Sequence, residues 1–370
     1  MTALPLRSTL RARPPQALDQ APDELPALLA ELGQPAYRGR QLAGWLFGRA
    51  ASSYDEMSDL PVDLRRQLAE RLPLLPPAIV DTRRSADGDT EKVLLRLADG
   101  AAIETVLMRQ PTRDGVRNTI CLSTQVGCAI GCPFCATGQA GWMRNLSPGE
   151  IIAQVTHWRR VLLAEGAALD NVVYMGMGEP LGNYAATFRS IAVLNHAEGF
   201  GVGARHITVS TSGLAPQIER LALEPYQINL AVSLHAPNDA LRDRMVPINR
   251  TYPLTRLLEA VRHYIARTNR RVSFEYVLLA GVNDGPEQAE ELTTLLRGLL
   301  CHVNLIPLNP EPSGQFSVPR QDAITRFAAI VRERHIPCTI RIDRGQDIAA
   351  ACGQLARQER GTRERTGALR

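Results

Sequence analysis

Seven cysteines occur in 370 residues, and four of them fall within "CLSTQVGCAIGCPFC", residues 121 to 135. Thiolates are strong nucleophiles and soft metal ligands, so this density predicts metal or redox chemistry. Cys128, Cys132 and Cys135 form a Cys-x3-Cys-x2-Cys triple in one stretch, without the second pair that a zinc ribbon uses. Three thiolates leave a four-iron cluster one ligand short, so one iron stays open to a small molecule. A zinc site completed by a distant His or Cys is the alternative. Gly127 and Gly131 give the loop freedom to wrap a cluster, and Phe134 lies inside the triple, beside whatever the open iron binds.

Further candidates lie at the ends of apolar runs. "GMGEP" supplies Gly178 and Glu179, a carboxylate able to accept from an ammonium group; "TVSTSG" supplies Ser210, "AVSLHAPND" supplies Ser233, Leu234 and His235, and "NLIPLNP" supplies Asn309. Taken singly, a Ser or Asn after a strand is a turn residue more often than a ligand. Glu104 in "IETV" reads on its own as a solvated strand position. Cys121 alternates with Ser123 and Gln125, which predicts a polar face. Cys352, after three alanines in "GQDIAAACGQL", reads equally well as helix packing, and Cys301 and Cys338 read as core cysteines.

The elements that must position these groups follow from periodicity. Residues 1–21 are Pro- and Arg-rich and are expected to be disordered. Residues 22–75 carry three helical runs, with Leu25, Leu28, Leu29 and Leu32, then Leu42, Trp45 and Leu46, then "SDLPVDLRRQLAERL". Residues 76–117 read as a linker followed by two strands around an Asp99-Gly100 hairpin turn. Residues 118–350 alternate strands and helices, with six strand candidates beginning at "TICLSTQV" and ending at "HVNLIPLN". Ser147, Pro148 and Glu150 form a capping-box start for one of the helices. Such alternation predicts a parallel α/β sheet, doubly wound or closed toward a barrel, with its active site at the C-terminal strand ends. Residues 351–370 are a C-terminal segment holding Cys352 and an Arg-rich tail.

Composition narrows the class. Nearly half the residues are hydrophobic, ample for a core, yet no run of eighteen apolar residues suggests a membrane span, and the N-terminus lacks the apolar run of a secretory signal. An odd cysteine count without an export signal argues against a disulfide scaffold and for a cytoplasmic protein. Of the formal charge of +4, the two tails contribute +6, leaving the body at −2. Nucleic acid would therefore be held by local patches, such as Arg38 and Arg40 near Tyr37 and Trp45. Lys92 is the only lysine in the chain.

The triple Cys128, Cys132 and Cys135 resembles the signature of the radical S-adenosylmethionine (SAM) superfamily, whose open iron chelates the methionine moiety of SAM. With "IETV", "CLSTQVGCAIGCPFC", "GMGEPL", "VSLHAPND", "LIPLNP" and "DIAAACGQL" in that order, residues 22 to 355 closely resemble the dual-specificity ribosomal-RNA and transfer-RNA adenine-C2 methyltransferases of that superfamily. The resemblance implies a partial (β/α)6 barrel with a small N-terminal helical domain and a β-hairpin extension. It implies one 4Fe-4S cluster, two SAM molecules per turnover, 23S rRNA and tRNA as substrates, a flavodoxin- or ferredoxin-type electron donor, and a monomer.

It also assigns roles. Cys352 accepts a methyl group, because adenine C2 is too electron-poor to attack SAM directly; a 5′-deoxyadenosyl radical then activates that methyl for addition to C2. Glu104 is the base that removes the C2 proton, and Cys121 releases the product by forming a transient disulfide with Cys352. Gly178, Glu179, Ser210, Ser233, Leu234, His235 and Asn309 are implied SAM contacts. Methylation at adenine C8, or a non-catalytic iron-sulfur RNA-binding module, are the rival readings.

Overall fold

The computed structural model describes residues 15–309, 315–341 and 345–355. The tails at residues 1–14 and 356–370 lie outside the described residues, and with them most of the expected disordered extension. That extension was expected to reach residue 21, but Ala17, Leu18 and Ala21 are buried. Asp19 explains the difference: its Oδ1 accepts from Gly149 N at 2.8 Å, so this short segment is stitched to the start of a barrel helix.

Three helices follow, α1 (Leu25–Glu31), α2 (Tyr37–Ala43) and α3 (Val62–Arg71). Their leucines Leu25, Leu29, Leu42, Leu64 and Leu68 are buried together, as the periodicity requires. Trp45 packs against this core while Tyr37 is exposed, with the Arg38 guanidinium 5.0 Å from its ring centroid.

The strands are β1 (Ala78–Arg84), β2 (Thr90–Arg96), β3 (Ala102–Thr112), β4 (Gly115–Cys121), β5 (Gln125–Gly127), β6 (Trp142–Asn145), β7 (Asn171–Tyr174), β8 (Ile207–Thr211), β9 (Asn229–Ser233), β10 (Val272–Leu278), β11 (Cys301–Pro307) and β12 (Cys338–Ile340). Ten of them form one sheet in the order β1-β2-β3-β4-β7-β8-β9-β10-β11-β12, and β5 pairs with β6 apart from it. From β1 to β4 the pairing is antiparallel; from β4 onward it is parallel. Strand order never reverses, so there is no switch point and the doubly wound alternative falls. The parallel part is an open barrel.

Crossovers carry α5 (Pro148–Ala164), α6 (Tyr184–Asn195), α7 (Ala215–Leu221), α8 (Asp239–Met245), α9 (Leu254–Thr268), α10 (Pro286–Leu295) and α11 (Gln321–Glu333), after a one-turn α4 (Ala136–Gln139). The capping box of α5 forms as its sequence predicts: Ser147 Oγ accepts from Glu150 N at 3.1 Å and Glu150 Oε2 accepts from Ser147 N at 2.8 Å. Such a cap is worth about 1 kcal/mol.

Three expectations change. The presumed linker contains β1, so the hairpin extension is a meander that continues into the barrel sheet. "TICLSTQV" is not one strand: β4 stops at Cys121, and β5 begins at Gln125. A seventh, short parallel strand, β12, starts at Cys338, where the sequence suggested only a core cysteine. Among the described residues no helix is long and apolar enough to cross a membrane.

Candidate active site

A cavity opens at the C-terminal ends of the parallel strands, and its walls include Cys128, Cys132, Phe134, Cys135 and Cys352. It is a concave site with both apolar and polar side chains in its walls, the kind that receives a small ligand. The loop from 128 to 135 leaves β5 through Gly127, whose φ is +76°. A Cβ there would lie 1.8 Å from Gly141 O, so the loop's entry accepts only glycine. At the loop's exit, Cys135 begins α4.

Burial pushes the Cys128 thiol up to about 12 and raises Cys132 and Cys135 as well; Cys128 and Cys132 also feel the charge of Cys135, and Cys135 that of Cys352. Three buried thiols sharing one cavity would be protonated unless a metal centre supplied positive charge. Backbone N–H groups of Ile130, Gly131, Thr137 and Gly138 favour the thiolates of Cys128 and Cys135. Among the described residues no three His, Cys, Asp or Glu side chains converge on one ion position. Three thiols from one loop lining one cavity are a donor set that suits an iron–sulfur cluster.

The other predicted residues divide into wall and frame. Gly178, Glu179, Ser210, Ser233, His235 and Asn309 line the cavity, but Leu234 is fully buried and is not part of its wall. Gly178 has φ +100°, and a Cβ on it would meet Gln125 Cβ at 2.5 Å, which lets the β7 loop lie against β5. Glu179 Oε2 accepts from Ser212 N at 2.7 Å and Oε1 from Leu181 N at 3.0 Å; burial nonetheless raises its carboxyl. His235 holds φ +60°, and its Nδ1 accepts from Val277 N at 3.0 Å, which places the ring proton on Nε2. Burial pushes this imidazole down to about 3, so it is a neutral donor at physiological pH. Its ring meets Phe134 edge-on at 5.0 Å.

Residues 345–355 cross the cavity mouth as a strap. Asn309 Nδ2 donates to Cys352 O at 3.3 Å, Ala136 N to Gly353 O at 2.7 Å, and Thr137 Oγ1 to Leu355 O at 3.1 Å. These bonds bring Cys352 within electrostatic reach of both Cys135 and Cys121. The polar face expected around Cys121 is buried: Ser123 and Gln125 are as covered as the cysteine, each with hydrogen-bond partners. Burial first, and Cys352 next, push the Cys121 thiol up to about 12, opposed by Arg341. Both thiols are free in this structure.

Glu104 corrects the sequence reading most sharply. It is buried rather than solvated, and its Oε1 lies 2.9 Å from Lys92 Nζ. Its main chain is held by Ser123 Oγ, which donates to Glu104 O at 2.6 Å, and by Met177 Sδ, which accepts from Glu104 N at 3.4 Å. Its neighbour Thr105 donates from Oγ1 to Cys121 O at 2.8 Å and accepts from Trp158 Nε1 at 3.0 Å.

Sequence reasoning missed two polar groups in the wall, Glu275 and Arg341, and a buried cation behind it. Arg242 is fully buried and donates to the main-chain oxygens of Ser212, Ser233 and Leu234, tying the ends of β8 and β9. Its only sequence signal is an arginine seven residues after His235, which periodicity assigns to a solvated helix face.

Residues 122–293 match the Radical SAM superfamily, and residues 17–73 match the ribosomal RNA large subunit methyltransferase N-terminal domain. The chain is 50% identical over 344 residues to a probable dual-specificity RNA methyltransferase RlmN of Chloroflexus aurantiacus, covering 90% of each. It is 44% identical to the protein of that description in Bacillus subtilis, covering 96% of each. A crystal structure of a radical SAM methyltransferase from Sphaerobacter thermophilus superimposes with a TM-score of 0.89 at 54% identity, covering 92% of this chain and 99% of that one.

Proposed function

The chain belongs to the RlmN family of radical SAM methyltransferases, and from that premise we propose that it methylates adenine C2 in RNA, in both 23S rRNA and tRNA. The observation that carries the reading is Cys352, which a strap hydrogen-bonded to Asn309, Ala136 and Thr137 sets in the wall of the cavity lined by the cysteine triple, with Cys121, more than two hundred residues away in sequence, close enough for the charges of the two thiols to interact. An iron-sulfur binding module has no use for that pair.

Cys128, Cys132 and Cys135 would hold a 4Fe-4S cluster, which supplies the electron that splits SAM to a 5′-deoxyadenosyl radical. Cys352 acts as the first nucleophile and takes a methyl group from one SAM, because a thiolate attacks where an electron-poor ring carbon cannot. Its position beside Cys135 lets the S-methyl group lose a hydrogen to that radical, derived from a second SAM, and bond to C2. Glu104 accepts the C2 proton. The Cys121 thiolate then attacks the Cys352 sulfur to form a disulfide; the carbon–sulfur bond breaks with its electron pair on carbon, that carbon takes up a proton to become the methyl group, the one surplus electron of the radical adduct would pass back to the redox centre, and cytosolic thiols reset the pair.

Gly178, Glu179, Ser210, Ser233, His235 and Asn309 surround the place for SAM, with His235 as a neutral donor. The N-terminal helices grip RNA through exposed Tyr37 and Arg40 and half-buried Arg38, and the target adenine leaves its stack to reach the cavity. A flavodoxin- or ferredoxin-type protein delivers the electron, and the enzyme works as a monomer.

Anaerobic enzyme with SAM, a reductant and hypomethylated RNA is expected to yield 2-methyladenosine by mass spectrometry. Finding 8-methyladenosine alone, or no methylation with the cluster intact, overturns the reading. Cys121→Ala is expected to accumulate protein joined to RNA, and free product from that variant would remove Cys121 from the release step.

A further inference from the structure

Lys92 is the one lysine in a chain with 42 lysine and arginine residues, and it is also among the most deeply buried cations. Its side chain is 5% exposed and that of its partner Glu104 is 4% exposed. Lys92 on β2 pairs with Val106 and Leu94 pairs with Glu104, so the two charged side chains are diagonal neighbours on one face of the meander. The Nζ that lies 2.9 Å from Glu104 Oε1 also donates to Ala349 O at 2.9 Å. Ala349 holds φ +52°, a left-handed conformation that costs a residue with a Cβ about 1 kcal/mol or more, and it stands three positions before Cys352. A single ammonium thus joins a carboxylate on β3 to the strained turn of the strap.

The choice of lysine has a physical reason. An ammonium is a compact point charge whose three donors rotate freely, so it can serve two acceptors from unrelated segments; a guanidinium is a planar fork made for one bidentate partner. Near-uniform use of arginine elsewhere makes this site the exception. The strap has further anchors at Ala86, whose N donates to Asp347 Oδ2 at 2.8 Å, and at Asn309, Ala136 and Thr137. The Lys92 ammonium links strap and carboxylate directly.

We propose that Lys92 is a positioning residue for the release half of the reaction, holding the Glu104 carboxylate and the Cys352 strap in one register so that base and bridging sulfur address the same adenine carbon. The inference rests on the roles given above to Glu104 and Cys352. It gives Lys92 no part in making the radical, and none in methylating Cys352, whose strap keeps its other anchors.

The test follows the methylene-bridged protein–RNA adduct under single-turnover conditions, in anaerobic cluster-loaded enzyme, by denaturing gel and mass spectrometry. Lys92→Met is expected to slow decay of the adduct roughly 10- to 100-fold, and Glu104→Gln about 100-fold or more. Because the two act as a unit, the double variant should decay within about 3-fold of Glu104→Gln alone. S-methylation of Cys352, read on its peptide, should stay within about 3-fold of the parent. Normal adduct decay in Lys92→Met, multiplicative losses in the double variant, or a loss confined to Cys352 methylation overturns the proposal. If Glu104→Gln itself releases product freely, the base assignment fails, and the proposal with it. Should Lys92→Met not fold, Lys92→Gln, which keeps a donor for Ala349 O without the charge, is read the same way.

Discussion

The cysteine loop lines the cavity and the Glu104–Cys121–Cys352 assembly reaches it through Cys352, yet the two are built on opposite plans. The loop draws its three thiols from eight consecutive residues, and its shape depends on glycine conformations such as that of Gly127. The assembly takes one group from β3, one from the end of β4 and one from a strap that returns after the last strand. Local chain geometry therefore sets the first, and long-range hydrogen bonds set the second. The two should fail differently when damaged: the loop all at once, the assembly by degrees.

Cys132→Ser breaks the loop and should have the largest effect. Iron content is expected to fall well below that of the parent and 2-methyladenosine formation to drop at least about 1000-fold, while the far-ultraviolet circular dichroism stays unchanged. Retention of a full cluster after this change would end the assignment of the triple. Asn309→Ala strikes the strap instead. It removes the donor to Cys352 O and the acceptor for Gln346 Nε2, so methylation of Cys352 should slow about 10-fold with iron content intact. A loss of iron in Asn309→Ala would mean that loop and strap are not independent. Trp158→Phe should have the smallest effect. It leaves Thr105 Oγ1 without its donor behind Cys121, and is expected to lower unfolding stability by about 1–2 kcal/mol in denaturant titration, with cluster content unchanged.

Legibility in the sequence followed the same division. The loop could be read from spacing because its ligands are neighbours in the chain, and the strands and the α5 cap could be read from patterns that repeat within a few residues. Glu104 could not: a lone glutamate in a strand is solvated unless something charged is buried beside it, and Lys92 comes from another strand. The linker hid β1 for a related reason: its residues stay exposed or half-buried even when paired, so the strand exists through its backbone ladder with β2 and not through a buried face. Cys121 looked half-solvent on a polar face, yet the meander and the strap bury it.

By itself the sequence determined the cysteine triple, the barrel's repeating units, the helical N-terminal domain and, through the order of its motifs, the family. Tertiary structure alone decided that the parallel sheet is an open barrel, because strand order is a matter of pairing and not of propensity. It alone decided that Glu104 is buried against Lys92 and that Cys121 comes within electrostatic reach of Cys352, because desolvation and charge pairing act through space between segments the chain keeps far apart.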